Sequence, residues 1–145
     1  MNIEKTPRQS IREAVKQAIE PLEGSLVLKI LDQYDSAVDP EETPFIRIIT
    51  LSEAVERLNM DEDQRSLQLA IQATCIATHD ALNTLEAVAL AIEHQMVDDG
   101  KFAVFTEHPL DDIQLIETQF PELDENPTVY VALVYQVMYT TRRGL

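Results

Sequence analysis

The sequence predicts an α+β fold: a mainly antiparallel four- or five-stranded sheet with two helices packed on one face. Three observations carry that expectation. Between Ser66 and Cys75 the side chains alternate, Leu67, Leu69, Ile71, Ala73 and Cys75 against Ser66, Gln68, Ala70, Gln72 and Thr74, which is the period of a strand with one face in a core. Two other segments place apolar residues at helical spacing. Finally, Thr128 to Thr140 is apolar on both faces, Val129, Val131, Leu133, Tyr135, Val137 and Tyr139 on one and Tyr130, Ala132, Val134 and Met138 on the other, so it belongs in the middle of a sheet.

The elements follow in order. Thr6 is placed to cap and Pro7 to open a first helix, whose apolar positions are Ile11, Val15, Ala18, Ile19 and Leu22; Pro21 and Gly24 end it. Residues 25 to 31 are short and apolar and are assigned a strand, although periodicity alone fits a helical turn as well. Residues 32 to 42, with Asp32, Asp35, Asp39, Glu41, Glu42 and two prolines nearby, form a first acidic loop. After Pro44, Phe45 to Leu51 is a β-rich run and a strand. Ser52 to Asp63 mixes acids with Ala54, Val55 and Leu58 and reads equally as a short helix or a hairpin arm, with a second acidic loop at about 56 to 63. The alternating strand follows. His79-Asp80 opens a second helix with the stripe Leu82, Leu85, Ala89, Ile92 and Met96, ended by Asp98-Asp99-Gly100. A linker from Lys101 to Pro109, a strand from Ile113 to Phe120, an acidic turn from Pro121 to Pro127 and the closing strand complete a single domain over residues 1–145.

Composition excludes several function classes. A chain of 145 residues can bury roughly 70% of its unfolded surface, enough for a core without staples. One cysteine, Cys75, rules out an intramolecular disulfide framework and a four-cysteine zinc site. No apolar run approaches the ~18 to 20 residues of a membrane span, and Met1 to Lys5 lacks the apolar core of a signal peptide. With 11 Lys and Arg against 26 Asp and Glu, the net charge of −15 repels phosphate backbones. The nearest basic candidates, Lys5, Arg8, Arg12 and Lys16 and the Arg142-Arg143 pair, read as a solvated helix face and a frayed tail.

Catalytic chemistry finds little footing. His79, His94 and His108 are not at the i, i+4 spacing of a helical metal pair, and Cys75 on an apolar strand face reads as a packing thiol. There is no nucleophile elbow, phosphate-binding loop or dinucleotide fingerprint. The runs Asp61-Glu62-Asp63 and Asp98-Asp99 read as solvated acid, the former lacking the ligand pattern of a calcium loop. The expectation is a protein that is not an enzyme, with no cofactor and no metal.

The order of pieces resembles the tail terminator (tail-completion, minor tail) proteins that cap the tail tube of long-tailed bacteriophages. The features that carry the resemblance are the helix Ile11-Arg12-x-Ala14-Val15-x-x-Ala18-Ile19, an acidic loop delivering Glu42-Thr43-Pro44-Phe45-Ile46-x-Ile48, and a second leading into Arg65-Ser66-Leu67-Gln68-Leu69-Ala70-Ile71. The helix from His79 to Glu93 and the end Val131 to Thr141 complete it. The resemblance implies a structural protein of the virion, made in the bacterial cytoplasm and sited at the tail-head junction. It would assemble as a hexameric ring that stops tube polymerisation, and would bind tail tube protein on one side and the head-tail connector on the other. DNA would pass an acidic lumen without specific binding. The chain departs from the family at residues 25 to 38, where the family has a clear strand.

Subunit or partner contacts are assigned, from the residues alone, to Tyr34, Arg47 and Arg57: an aromatic beside an acidic loop and two isolated arginines in acidic surroundings suit bridging. The alternatives are a head-completion or neck protein, and, in a different class, a small monomeric ligand-binding or enzymatic domain using His79, Cys75 or the acidic clusters.

Overall fold

The computed structural model describes residues 6–35, 43–97, 110–120 and 127–143. Helix α1 spans Pro7–Ile19; the Thr6 hydroxyl accepts a hydrogen bond from the Gln9 amide at 3.1 Å and Pro7 occupies the first turn, where its missing N–H costs nothing. Ile11, Ala14, Val15, Ala18 and Ile19 bury one stripe. A 3-10 turn, Glu20–Leu22, follows.

The strand expected over 25 to 31 shrinks to three residues, β1 (Lys29–Leu31). The Leu22 carbonyl collects the amides of Ser25, Leu26 and Val27 at 3.2, 3.0 and 3.1 Å, and Gly24 at φ +84° turns the chain, so the amides of the first part of the segment fold back on Leu22 and do not join a sheet ladder. Only Val27 and Ile30 reach the core, while Leu26 and Leu28 stay exposed. Of the first acidic loop, residues 32 to 35 form a turn and 36–42 lie outside the described residues.

Strand β2 (Phe45–Arg57) runs parallel to β1 and antiparallel to β3 (Glu62–Ile76). The ambiguous stretch 52 to 63 is therefore a hairpin arm, and the second acidic loop contracts to the turn Leu58 to Asp61. Its acids are not simply solvated: Glu53 meets Arg8 at 3.2 Å and Arg65 at 3.7 Å, and Asp63 meets Arg143 at 2.9 Å, so their charges are compensated within the ladder. Nor is the C-terminal end frayed at Arg142-Arg143. Arg142 pairs with Glu62 in register, and the Arg143 amide donates to the Asp61 carbonyl at 2.7 Å.

Helix α2 spans Ala81–Val97, two residues later than His79-Asp80 suggested. Its buried stripe is Ala81, Leu85, Val88, Ala89, Ile92 and Met96; Leu82, assigned to the stripe, is 49% exposed and Val88 takes its place. The helix end at 98–100, the linker at 101–109 and the acidic turn at 121–126 lie outside the described residues. Strand β4 (Asp112–Gln119) and β5 (Thr128–Arg142) complete a five-stranded mixed sheet in the order β1-β2-β3-β5-β4, antiparallel except at β1-β2. The doubly apolar β5 lies between β3 and β4, as expected for a strand buried on both faces.

Both helices contribute to one buried cluster on the sheet face that carries Ile46, Ile48, Leu67, Leu69, Ile71, Leu133, Tyr135 and Val137. Each fully buried Leu or Ile there contributes about 1.5–3 kcal/mol of transfer free energy. No described helix is long and apolar enough to cross a membrane.

Candidate docking surface

The same alternation that fills the core fixes the composition of the opposite sheet face. The register aligns Ser52, Gln68, Gln136 and Gln114 across β2, β3, β5 and β4, and beside that row Ile49, Ala70, Val134 and Glu117. A third row runs Arg47, Gln72, Ala132, Gln119. Past the Glu62-Arg142 pair at one end, this face of the two central strands shows Gln64, Ser66, Gln68, Ala70, Gln72, Thr74 and Ile76 on β3 and Thr128, Tyr130, Ala132, Val134, Gln136, Met138 and Thr140 on β5. None of these carries a charge at neutral pH, in a chain of which 26% is charged. The solvated face of an antiparallel sheet is ordinarily polar and rich in charge, whereas depletion of charged residues marks the centre of a protein interface. No described helix covers this face, although Ala70, Ala132 and Val134 at its centre are already buried within the chain, and the accessible part is the surrounding amides, hydroxyls and Tyr130 and Ile76.

Two β-bulges flank this strip, between Thr50 and Ser52 on β2 and between Leu115 and Glu117 on β4, and the inserted residues Leu51 and Ile116 are exposed and apolar. Beyond α1 the β2-β3 arm ends in a turn whose Leu58 is exposed and whose Met60 is 87% exposed. The arm tip is held from the side. Arg143 Nε donates to Asp63, and its Nη2 donates to the carbonyls of Asn59 and Glu62, while the Asn59 side chain accepts from the amides of Asp61 and Glu62 at 2.9 Å. A rigid, apolar-tipped arm loses little conformational entropy when it docks.

At the base of the arm lies a half-buried polar network. Glu53, its side chain 10% exposed, accepts a short hydrogen bond from the Tyr139 hydroxyl and faces the guanidiniums of Arg8 and Arg65. Arg65 also donates to the Thr141 hydroxyl at 2.9 Å. Burial, then the hydrogen bond to Glu53 and its charge, push the Tyr139 hydroxyl well above its ordinary pKa.

The three residues assigned to contacts fall in two places. Tyr34 is 92% exposed in the turn after β1. Arg47 sits beneath that turn: its Nη1 donates to the carbonyls of Asp32 and Asp35 at 3.0 Å and of Gln33 at 3.4 Å, and its guanidinium lies 5.9 Å from the Phe45 ring centre. Arg47 thus fixes the turn that presents Tyr34. Arg57 is exposed at the far end of β2, opposite Asp63, about 33 Å from Arg47 at the rise of a strand. The uncharged face was legible in part as the second face of the alternating strand. Its signal is the lack of charge at every other position on two strands that the sequence separates by some fifty residues.

The residues assigned to the catalytic alternative are not brought together. Cys75 is buried, its thiol 3.8 Å from the Ala81 carbonyl and pushed up in pKa by burial, which is the environment of a packing thiol. His79 is exposed and pairs with the adjacent Asp80 at 3.2 Å. His108 lies outside the described residues, which contain no group of three or more potential metal ligands.

No protein-family model matches the sequence, and no curated protein does. Among solved structures, the fold is similar to a chain in the virion of a native gene transfer agent particle, with a TM-score of 0.68 over 95% of this chain and 100% of that one at 12% sequence identity. The two chains share a fold from end to end.

Proposed function

We propose that this chain is a structural virion protein of a phage or phage-like particle, and within that class a tail terminator. It assembles as a ring of six copies that caps the tail tube at the tail-head junction, ends tube polymerisation and offers its outer side to the head connector. The observation that carries the reading is the full-length likeness to a chain of the gene transfer agent virion. The uncharged sheet face and the rigid apolar-tipped arm supply what such a role requires, surfaces made to be covered by neighbours. The role is mechanical and not catalytic, and takes no cofactor; a ring with the net charge of these copies lets DNA pass without holding it.

The test is assembly. Light scattering over a concentration and salt series, with negative-stain images of any large species, is expected to give a ring of about six copies, alone or on purified tail tubes. A protein that remains monomeric and leaves tube ends uncapped, so that tubes grow beyond their set length, refutes the terminator role. Binding to portal or neck complexes with none to tubes replaces it with head completion. Leu51→Lys and Ile116→Lys, on exposed side chains at the two bulges, are expected to leave stability within about 0.5 kcal/mol and to weaken assembly.

A further inference from the structure

The sheet ends in two edges that no described residue covers. Strand β4 pairs with β5 on one side only. On the other flank β1 pairs with Phe45 to Arg47 of β2, and the Gln33 side chain accepts from the Thr50 amide at 3.0 Å; from Leu51 to Arg57 the outer side of β2 carries no strand. The Thr50 amide points away from β3, so alternation across the bulge at Leu51 turns the backbone groups of Glu53, Val55 and Arg57 outward. The same count carried through β3 and β5 turns out those of Ile113 and Leu115 on β4. A row of unpaired N–H and C=O groups is a template for another strand. Neither stretch holds the Lys or Pro that commonly guards such an edge, and the bulge of β4 comes only after Leu115, leaving Asp112 to Leu115 regular.

We infer that β4 of one copy pairs antiparallel with the outer side of β2 in the next copy, so that the five-stranded sheets join into one sheet running around the assembly. This rests on the assembling role proposed above and names its contact. The two open stretches stand at the same height on opposite flanks. Register puts Ser52 in line with Gln68, Gln136 and Gln114, Glu53 with Leu67, Val137 and Ile113, and Ala54 with Ser66, Met138 and Asp112. Three successive antiparallel pairings make β4 run opposite to β2, so the next copy's β2 continues the alternation of the sheet. An edge that meets an unlike edge at equal height repeats by rotation about an axis along the strands with no climb, the condition for a ring and not a filament. In that register Ile113 exchanges N–H···O bonds with Glu53 of the next copy, while Gln114 lies beside Ser52 and Asp112 beside Ala54. No like charges come opposite each other, although each copy carries −15. The exposed apolar bulge residues Leu51 and Ile116 both adjoin the row of Thr50 and Leu115, so they fall on the same stretch of the seam. The uncharged row Ser52, Gln68, Gln136, Gln114 then runs unbroken from copy to copy.

The experiment places Ser52→Cys and Gln114→Cys together in the full chain carrying Cys75→Ser. Both side chains are exposed, and across the seam they form a non-hydrogen-bonded pair with Cα atoms about 4.5 Å apart, within reach of a disulfide. Inside one copy they lie three strand spacings apart, about 14 Å, too far to bridge. Oxidation of the assembled protein is expected to give a ladder of linked chains on a denaturing gel that stops at the ring size, whereas each single cysteine gives monomers. Glu56→Cys with Gln114→Cys, shifted along the strand, should link about tenfold less. Hydrogen exchange on wild type gives a second reading: the amides of Glu53 and Ile113 should slow about tenfold on assembly, and the Thr50 amide, already bonded to Gln33, should not change. Linkage no greater than in the shifted pair, dimers from Gln114→Cys alone, or slow exchange of both amides in the dilute monomer overturns the inference. Rings that form without linkage sink this contact and leave the terminator role standing; a ladder that runs on into open filaments keeps the contact and refutes the role.

Discussion

Replacing Glu53 by Ala removes the carboxylate that joins α1, β2, β3 and β5, and the structure lets the cost be worked out. The Tyr139 hydroxyl, on a residue only 2% exposed, loses a hydrogen bond to a charged acceptor, which contributes about 1.5–3 kcal/mol. Arg65 keeps the Thr141 hydroxyl but loses its ionic partner at 3.7 Å while remaining partly buried, adding about 1 kcal/mol. Arg8 is half exposed, so its pair is screened by solvent and contributes a few tenths of a kcal/mol, about 0.3. The expected loss is about 3–4 kcal/mol, or roughly 6–16 °C in Tm for a domain of this size. Urea denaturation with an unchanged slope measures it. Because Tyr139 and Glu53 act as a pair, Glu53→Ala combined with Tyr139→Phe should cost less than the two separately, with a coupling of about 1–2 kcal/mol. A Glu53→Ala protein within about 0.5 kcal/mol of wild type, or singles that add within about 0.3 kcal/mol, would show that the network is solvated and carries no weight.

Other consequences can be checked with the same assay. The Tyr135 hydroxyl is fully buried and has no hydrogen-bond partner among the described residues, so Tyr135→Phe should be neutral or stabilising by up to about 1.5 kcal/mol; a loss larger than about 1 kcal/mol would reveal a partner. Burial raises the pKa of Tyr135 and Tyr139 in the folded state above the unfolded value near ~10, so the folded protein binds more protons in that range. Stability should therefore be full below about pH 10 and fall as pH rises beyond it, with tyrosinate absorbance of these two residues developing only on unfolding. Leu85→Ala, at a fully buried position, should cost about 2–5 kcal/mol, whereas Leu82→Ala on the exposed side of α2 should stay within about 1 kcal/mol. Arg143→Ala should free the arm tip, raising amide exchange at Leu58 and Asn59, which bond the Glu62 carbonyl at 3.1 and 3.4 Å, by about tenfold while the core amides of β3 keep their protection.

What the sequence by itself determined is the part of the fold that rests on local pattern. The period-2 run from Leu67 to Cys75, the capped stripe of α1 and the doubly apolar β5 each carry their structural preference in consecutive residues, and from them follow the α+β class, the core face and the interior place of β5. Tertiary structure decided the rest, wherever a residue's environment comes from a distant segment. Ser52 to Asp63 reads equally as a short helix or a hairpin arm in sequence, and the pairing of β2 with β3, with Arg8, Arg65 and Arg143 arriving from α1, β3 and the end of β5 to balance Glu53 and Asp63, makes it the arm. Leu82 and Val88 both sit beside the Leu85-Ile92 stripe by spacing, and only the docking of α2 on β3 and β5 decides that Val88 is buried and Leu82 exposed. Likewise Arg142 and Arg143 look like a loose basic tail in isolation. The register from Glu62↔Arg142 to Ile76↔Thr128 is what sets Arg142 across from Glu62 and Arg143 against Asp63 and the arm turn, because charge acts through space while sequence orders residues only along the chain.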